Sequence, residues 1–301
     1  MLSFMLFLTI GVLIGGAYAE SVTVYVPPLN DCLHRGYWRS IGWVGSTNIY
    51  INGNHYNAYC VQYDIHLYAG YTYTAEVIPA SDSPGNRSIS YILTWYHSSS
   101  ISNDEGFAIQ CAVWKYATGD DPTGSCGIQG SRASQIYNDA LEKNVIRPGD
   151  VLTLTPNNTA VPVGTSQTVT ARIVNASGSP KPGIRILFST TFGVLDKTEG
   201  VTDANGEVKV SITSSVEGLA EITASTKGLW AHILDLWRNG CDYQNIIGIG
   251  YPELVAKSEF VFVRFFVVPE VPLGTVTVTL TSLAAMAFLS KMEKRRWSET
   301  I

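Results

Sequence analysis

Between residues 147 and 228 the chain is written in twos. In "SQTVTARIV" the apolar Val169, Ala171 and Ile173 alternate with polar neighbours, the pattern of a half-buried strand. "ASGSPKPGIRILFST" supplies a Pro/Gly turn that feeds another strand, and "VTDANGEVKVSITS" places Asn205-Gly206, a hairpin turn signal, before Val208, Val210 and Ile212. "GLAEITAST" and "KSEFVFVRFFV" read as two more strands. Side chains that alternate in this way must bury one face of each strand and wet the other. Several short strands of this kind, separated by such turns, pack as two sheets face to face. "RPGD" at 147–150 marks where this all-β region begins, and it is expected to run over residues 147–268.

The stretch from about 150 to 228, with "TDANGEVKVSIT" as its most specific part, resembles a bacterial Ig-like domain of the invasin/intimin group. The resemblance implies a stalk, and no catalysis is expected in it. "KGLWAHILDLWRNGCDYQNIIGIGYPEL" departs from that pattern and reads as an insertion at about 228–256, in the loop joining the last two strands. A short helix is expected around Leu229–Trp237, because Trp230, Leu234 and Trp237 share a helical face. That face packs on a neighbouring domain or forms a ligand-contacting tip.

Residues 20–146 mix both periods and are expected to form an α+β domain, a β-sheet or barrel with helices. "SVTVYV" and "YTYTAEVIP" alternate as strands, "SISYILTWY" suits a short helix or a strand, and "SRASQIYNDALEKN" reads as a helix. "SNDEGFAIQCAVWKY" starts with Ser102 and carries Glu105 three residues on, a capping box, with Asp104 and Glu105 at the positive end of the helix. Phe107, Gln110, Cys111 and Trp114 then fall on one stripe. Gln110 therefore points inward, where a buried amide must find partners or cost about 1–3 kcal/mol.

Upstream, "HYNAYCVQYD" sets Cys60 among aromatics. The pair of segments, Tyr59-Cys60 and the Q-x-A-Φ-W run Gln110-Cys111-Ala112-Val113-Trp114, resembles the thioester domains of cell-surface adhesins. The resemblance covers most of residues 30–145. It implies that the Cys60 thiolate attacks the Gln110 side-chain carbonyl, ammonia leaves, and an internal thioester is stored behind Tyr59, Ala112 and Trp114. An amine or hydroxyl on a partner surface then takes the acyl group once. The resemblance thus implies a self-modifying covalent binder rather than a turnover enzyme. Cys111, a second thiol beside the glutamine, departs from the pattern.

There are five cysteines, an odd number in an exported chain. With Cys60 in a thioester, Cys111 with Cys126 and Cys32 with Cys241 would make two disulfides. A cysteine hydrolase or transglutaminase-like enzyme is the rival, with Cys60 as nucleophile and His97 or His66 as base. A structural or binding surface protein with inert cysteines is the other. No metal-ligand spacing and no phosphate loop is found, so neither a metal nor a cofactor is expected.

Both ends place the chain outside the cytoplasm. "MLSFMLFLTIGVLIGGAYAE" is an apolar run ending in Ala17-Tyr18-Ala19, a signal peptide over residues 1–19 that lacks a basic start. From Val271 to Ser290 there is no charge, the length of a bilayer span, and Lys291, Lys294, Arg295 and Arg296 follow. Residues 269–301, with "VPEVPLG", resemble the Pro-Glu-Phe-type C-terminal sorting signals of archaeal surface proteins, although Val271-Pro272 stands where the motif has phenylalanine. That likeness implies an archaeosortase-type processing enzyme cutting near Pro269-Glu270. The weakly acidic chain, net charge −5, gives no reason to expect nucleic acid. The expected partners are a protein or glycan on another cell, a matrix or a surface layer, and the membrane through the C-terminal helix. Asn86, Asn157 and Asn175 lie in N-x-S/T triplets and are glycosylation candidates.

Overall fold

The computed structural model describes residues 20–28, 35–38, 42–62, 65, 67–78, 83–119, 130–239, 241–242, 244–249, 254–268, 281–288 and 290. The expected signal peptide, Cys32, Cys126, His66 and most of the expected C-terminal span lie outside them. Strands β1 (Glu20–Val26), β2 (Arg35–Trp38), β3 (Gly42–Gly45), β4 (Thr47–Ile51), β5 (Asn54–Cys60) and β6 (Tyr71–Ile78) come first. Helices α1 (Pro84–Trp95), α2 (Asn103–Thr118) and α3 (Gly130–Asp139) follow. The all-β part carries β7 (Val151–Pro156), β8 (Ala160–Pro162), β9 (Gln167–Val174), β10 (Arg185–Thr190), β11 (Val194–Leu195), β12 (Glu199–Val201), β13 (Glu207–Thr213) and β14 (Gly218–Leu229). Then come β15 (Ile233–Arg238), β16 (Cys241–Asp242), β17 (Ile246–Ile249) and β18 (Leu254–Phe266).

The alternating region forms the expected sandwich. One sheet runs β12-β10-β14-β18-β8 and the other β11-β13-β9-β7, and their inner faces share a core that includes Ile173, Ile186, Phe188, Val210, Ile222 and Phe265. Asn205-Gly206 does not close a hairpin, because β12 and β13 belong to different sheets. Instead Asp203 Oδ1 accepts from the backbone N–H groups of Asn205 and Glu207, and only Gly206 is left-handed, with φ 72°. A side chain at Gly206 would run into the Ile173 carbonyl at 2.4 Å, so the turn passes against β9 only as glycine.

The stretch expected to be an insertion with a helix is neither helical nor part of the sandwich. β15 pairs with β6, and β17 pairs with β15 and with β5. Together with β1 and β4 these strands close an antiparallel six-stranded barrel, β15-β17-β5-β4-β1-β6 and back to β15. "ILDLWR" is a period-two pattern: Leu234 and Leu236 are fully buried in the barrel core, while Trp237 is exposed. The spacing of Trp230, Leu234 and Trp237 is a coincidence of that alternation. Two chain segments thus build the first domain, and the sandwich is threaded through its strands.

The seam explains two polar residues buried in α1. Thr94 Oγ1 accepts from Leu229 N–H at 2.8 Å and Ser90 Oγ from Ala231 N–H at 3.1 Å, where the chain leaves the sandwich for the barrel. Arg147 stacks its guanidinium 3.6 Å from the Trp230 ring centre at the same joint. "SISYILTWY" is therefore helix, capped by Ser83 and buried along Ser88–Thr94.

Among the described residues no helix is long and apolar enough to cross a membrane. Residues 281–288 are helical, with Leu283, Met286 and Phe288 exposed.

Candidate functional site

The helix that carries Gln110 forms where its sequence says. Ser102 is the N-cap, its hydroxyl accepting from Glu105 N–H at 3.1 Å, and left-handed Gly119 ends the helix. Arg132 of α3 grips the Glu105 carboxylate through Nε and Nη2, at 2.9 and 2.7 Å. The expectation of a single inward stripe is too narrow, since every residue from Gly106 to Trp114 is buried. The reason is position: α2 lies between α1, α3, the β2–β3 hairpin and β5.

Gln110 is completely buried, and its amide is pinned at both ends to one residue. Oε1 accepts from Cys60 N–H at 2.9 Å, and Nε2 donates to the Cys60 carbonyl at 2.7 Å. The sheet explains why those backbone groups are available. Val61 N–H bonds to Asn245 O on the β17 side, so Cys60 N–H and C=O point the other way, toward β4. But β4 pairs with β5 only from Thr47↔Ala58 onward. Gln110 supplies one donor and one acceptor in the place where the neighbouring strand is missing. Its amide carbon therefore sits beside the residue that carries the thiol.

Cys60 ends β5 and packs against both the barrel core and the helical core, at the junction of the two layers. Tyr59, Ala112 and Trp114 are buried in the helical core around it. Ile246 of β17 is directly opposite Cys60 in the sheet. Tyr59 hydroxyl is hydrogen-bonded with His97 Nδ1 at 3.1 Å, and the rings meet edge to face. Burial pushes the Tyr59 phenol far above its usual range, a hydrogen bond to Ser46 draws it back in part, and the Glu105 charge adds to the rise. Tyr59 is thus a neutral wall of the site at any physiological pH.

The structure brings Cys60, Gln110, Tyr59, Ala112 and Trp114 together. His97 joins them through Tyr59. The backbone of Cys60, Ser46 and the strand β17 were missed, because none of them has a signature in the local sequence.

Cys111 is disulfide-bonded, whereas Cys60 stands outside any disulfide. The expected Cys32–Cys241 bridge is not made: Cys241 is a free, exposed thiol where β15 turns into β16. Its strand is held to the first domain by pairing with β15 rather than by a covalent tie. Of the glycosylation candidates, Asn157 is exposed, Asn86 lies half-buried in the first turn of α1, and Asn175 Oδ1 is taken by the backbone N–H groups of Ser177 and Ser179. Among the described residues no cluster of His, Cys, Asp or Glu could hold a metal ion.

Comparison with known proteins gives loose matches. The thioester domain of the Enterococcus faecium TIE86 protein aligns at 12% identity, covering 81% of this chain and 93% of that one, with a TM-score of 0.34. The thioester domain of the Staphylococcus aureus TIE protein aligns at 11% identity, covering 83% and 100%, with a TM-score of 0.33. The C-terminal 282-residue fragment of intimin, solved with the intimin-binding domain of its translocated receptor, aligns at 21% identity over 39% of this chain and 33% of that one, with a TM-score of 0.27. The chain spans a third to about half the length of the intimin fragments it matches. No curated protein matches it. Alignments this loose leave function to the site itself. The sandwich has firmer standing, for residues 151–231 match the bacterial Ig-like domain (group 1) family.

Proposed function

We propose that this chain is an outward-facing, surface-attached, adhesin-like protein that joins Cys60 to Gln110 in an internal thioester and spends it once on a partner surface. The observation that carries this reading is the fully buried Gln110 amide, held by both polar atoms on the backbone of Cys60.

The same two hydrogen bonds suit the chemistry. Cys60 Sγ attacks Gln110 Cδ, the C–S bond forms, and the carbonyl electron pair moves onto Oε1. Cys60 N–H already donates to that oxygen and holds the oxyanion as it develops. Collapse restores the carbonyl and breaks the Cδ–Nε2 bond, and nitrogen leaves as ammonia with the thiol proton. Holding sulfur and carbon together offsets the poor reactivity of an amide, and such positioning is worth about 7–11 kcal/mol. In the capture step an amine attacks Cδ, the C–S bond breaks, and the amine proton returns to Cys60. The product is a stable amide to the partner and a thiol on Cys60. Nothing is regenerated, so the chain is a single-use reagent and not a turnover enzyme. A hydroxyl nucleophile gives an ester by the same route.

In this reading the Ig-like sandwich holds the thioester domain away from the cell. The N-terminal apolar run exports the chain, and the uncharged C-terminal segment with its basic cluster anchors it or is processed. The target is a protein or glycan on another cell, a matrix or a surface layer.

Intact mass tests this directly. The purified wild type, with its disulfides counted, should show the loss of one ammonia and take up one methylamine. Gln110→Ala and Cys60→Ala should each show no ammonia loss and take up no methylamine. A wild type that has lost no ammonia overturns covalent capture and leaves Gln110 as a structural amide. Ester or amide hydrolysis that survives in Gln110→Ala and is lost in Cys60→Ala would instead point to Cys60 acting as a hydrolase nucleophile.

A further inference from the structure

The sandwich holds a second buried nucleophile that the thioester chemistry does not use. Lys181 Nζ donates to Asp150 Oδ2, and their side chains are 8% and 4% exposed. Both residues are held firmly. Arg147 N–H donates to the same Asp150 oxygen at 2.8 Å, and Asp150 N–H donates back to the Arg147 carbonyl at 3.1 Å. Lys181 N–H donates to Ile173 O at 3.0 Å, and the Lys181 carbonyl accepts from the buried Thr202 hydroxyl at 2.8 Å. The same stretches place Ile146, Ile173 and Ile184 in the sandwich core. An amine and a carboxyl group are therefore fixed in contact where water scarcely reaches.

We propose that Lys181 and Asp150 condense to an intramolecular amide between Nζ and Cγ. An ion pair without water carries a desolvation penalty on each charge, which favours passing one proton from nitrogen to the carboxyl group. That transfer makes a neutral amine, which is a nucleophile, and a neutral acid, which is a far better electrophile than a carboxylate. Nζ attacks Cγ, and Oδ2, already held by Arg147 N–H, takes the negative charge. Collapse makes Oδ2 the amide oxygen. Oδ1 departs as water carrying two of the three protons of the starting ammonium. No co-reactant is needed. Fixed neighbours react as though at roughly 10⁵–10⁸ M, which offsets the preference of water for the hydrolysed side.

The bond ties the start of β7 to the turn before β10, closing 31 residues. It lies at the joint with the first domain, where Asn144 N–H donates to Gly183 O at 2.9 Å. A stalk pulled between a captured partner and a surface anchor carries load through this joint. The staple keeps the first sandwich strand from peeling away. This modification stands independently of the thioester.

Intact mass of the full chain under reducing, denaturing conditions separates the two. The amide removes one water and the thioester one ammonia, so wild type and Gln110→Ala should share the water loss. A digest should yield one branched peptide joining residues 150 and 181. Lys181→Arg, which keeps the charge pair, should regain the full water, and Asp150→Asn should shed ammonia in its place. A folded chain that has lost no water, or a digest with residues 150 and 181 on separate peptides, overturns the proposal and leaves an ordinary buried ion pair.

Discussion

Gln110→Glu tests the site geometry with one exchanged atom. Glutamate keeps the length and shape of glutamine but replaces Nε2, the donor to the Cys60 carbonyl at 2.7 Å, with oxygen. Protonated, it can still donate there and accept from Cys60 N–H. Ionised, it sets a charge against a carbonyl oxygen in a fully buried site and leaves that acceptor unmatched, which costs about 1–3 kcal/mol before the charge is counted. The folded state therefore holds the carboxyl protonated, with a pKa above the unfolded value of about 4.3. Above that value the unfolded chain releases its proton and the folded chain does not, so stability is full below about pH 4.3 and falls as pH rises. The loss is about 1.4 kcal/mol per pH unit until the folded pKa is reached, then levels off. Urea midpoints from pH 4 to pH 8, for Gln110→Glu and wild type together, read this slope as a difference in which the other carboxylates cancel. The mutant should also take up no methylamine, because a thioester formed there by loss of water is returned to acid and thiol by solvent water. Parallel stability curves for the two proteins would refute the argument that Gln110 donates to a buried acceptor.

Two further outcomes follow from the same architecture. Leu234→Ala empties a fully buried position in the barrel core and should cost about 2–5 kcal/mol in chemical denaturation. Because β15 carries it and β17 leads from there to Cys60, it should also reduce the fraction of chains that have lost ammonia, as read by intact mass. Ser102→Ala removes the cap of α2 and should lower stability by about 0.5–2 kcal/mol while leaving methylamine uptake at one per chain. A loss of uptake at unchanged stability would mean that the helix start positions Gln110 more directly than its packing suggests.

The legible part of the site was local. A capping box, an aromatic-flanked cysteine and an amide among apolar neighbours each leave a mark within a few residues, and the helix and strand they predict are present. Disulfide pairing was not local. Cys241 sits at an exposed turn, and nothing in its neighbours tells which cysteine it meets. The two strands that close the barrel, β15 and β17, were the larger omission. "ILDLWR" announces a half-buried strand through Leu234 and Leu236, yet the same letters also fit a helical face, and the helical reading was the wrong one.

By itself the sequence determined the alternation that makes a sandwich and two of the three helices with the start of α2, while it left α1 open between helix and strand. Tertiary structure alone decided that residues 233–249 complete the first sheet and that β17 lies against Cys60. It also decided that the Gln110 amide stands where β4 stops. The physical reason is range. Periodicity records which face of an element is buried, because burial acts on side chains spaced two or four apart. It does not record which edge of which sheet the backbone will join, since any strand presents the same N–H and C=O groups. That choice is made only when distant segments close on a common core and each buried donor and acceptor must find its partner.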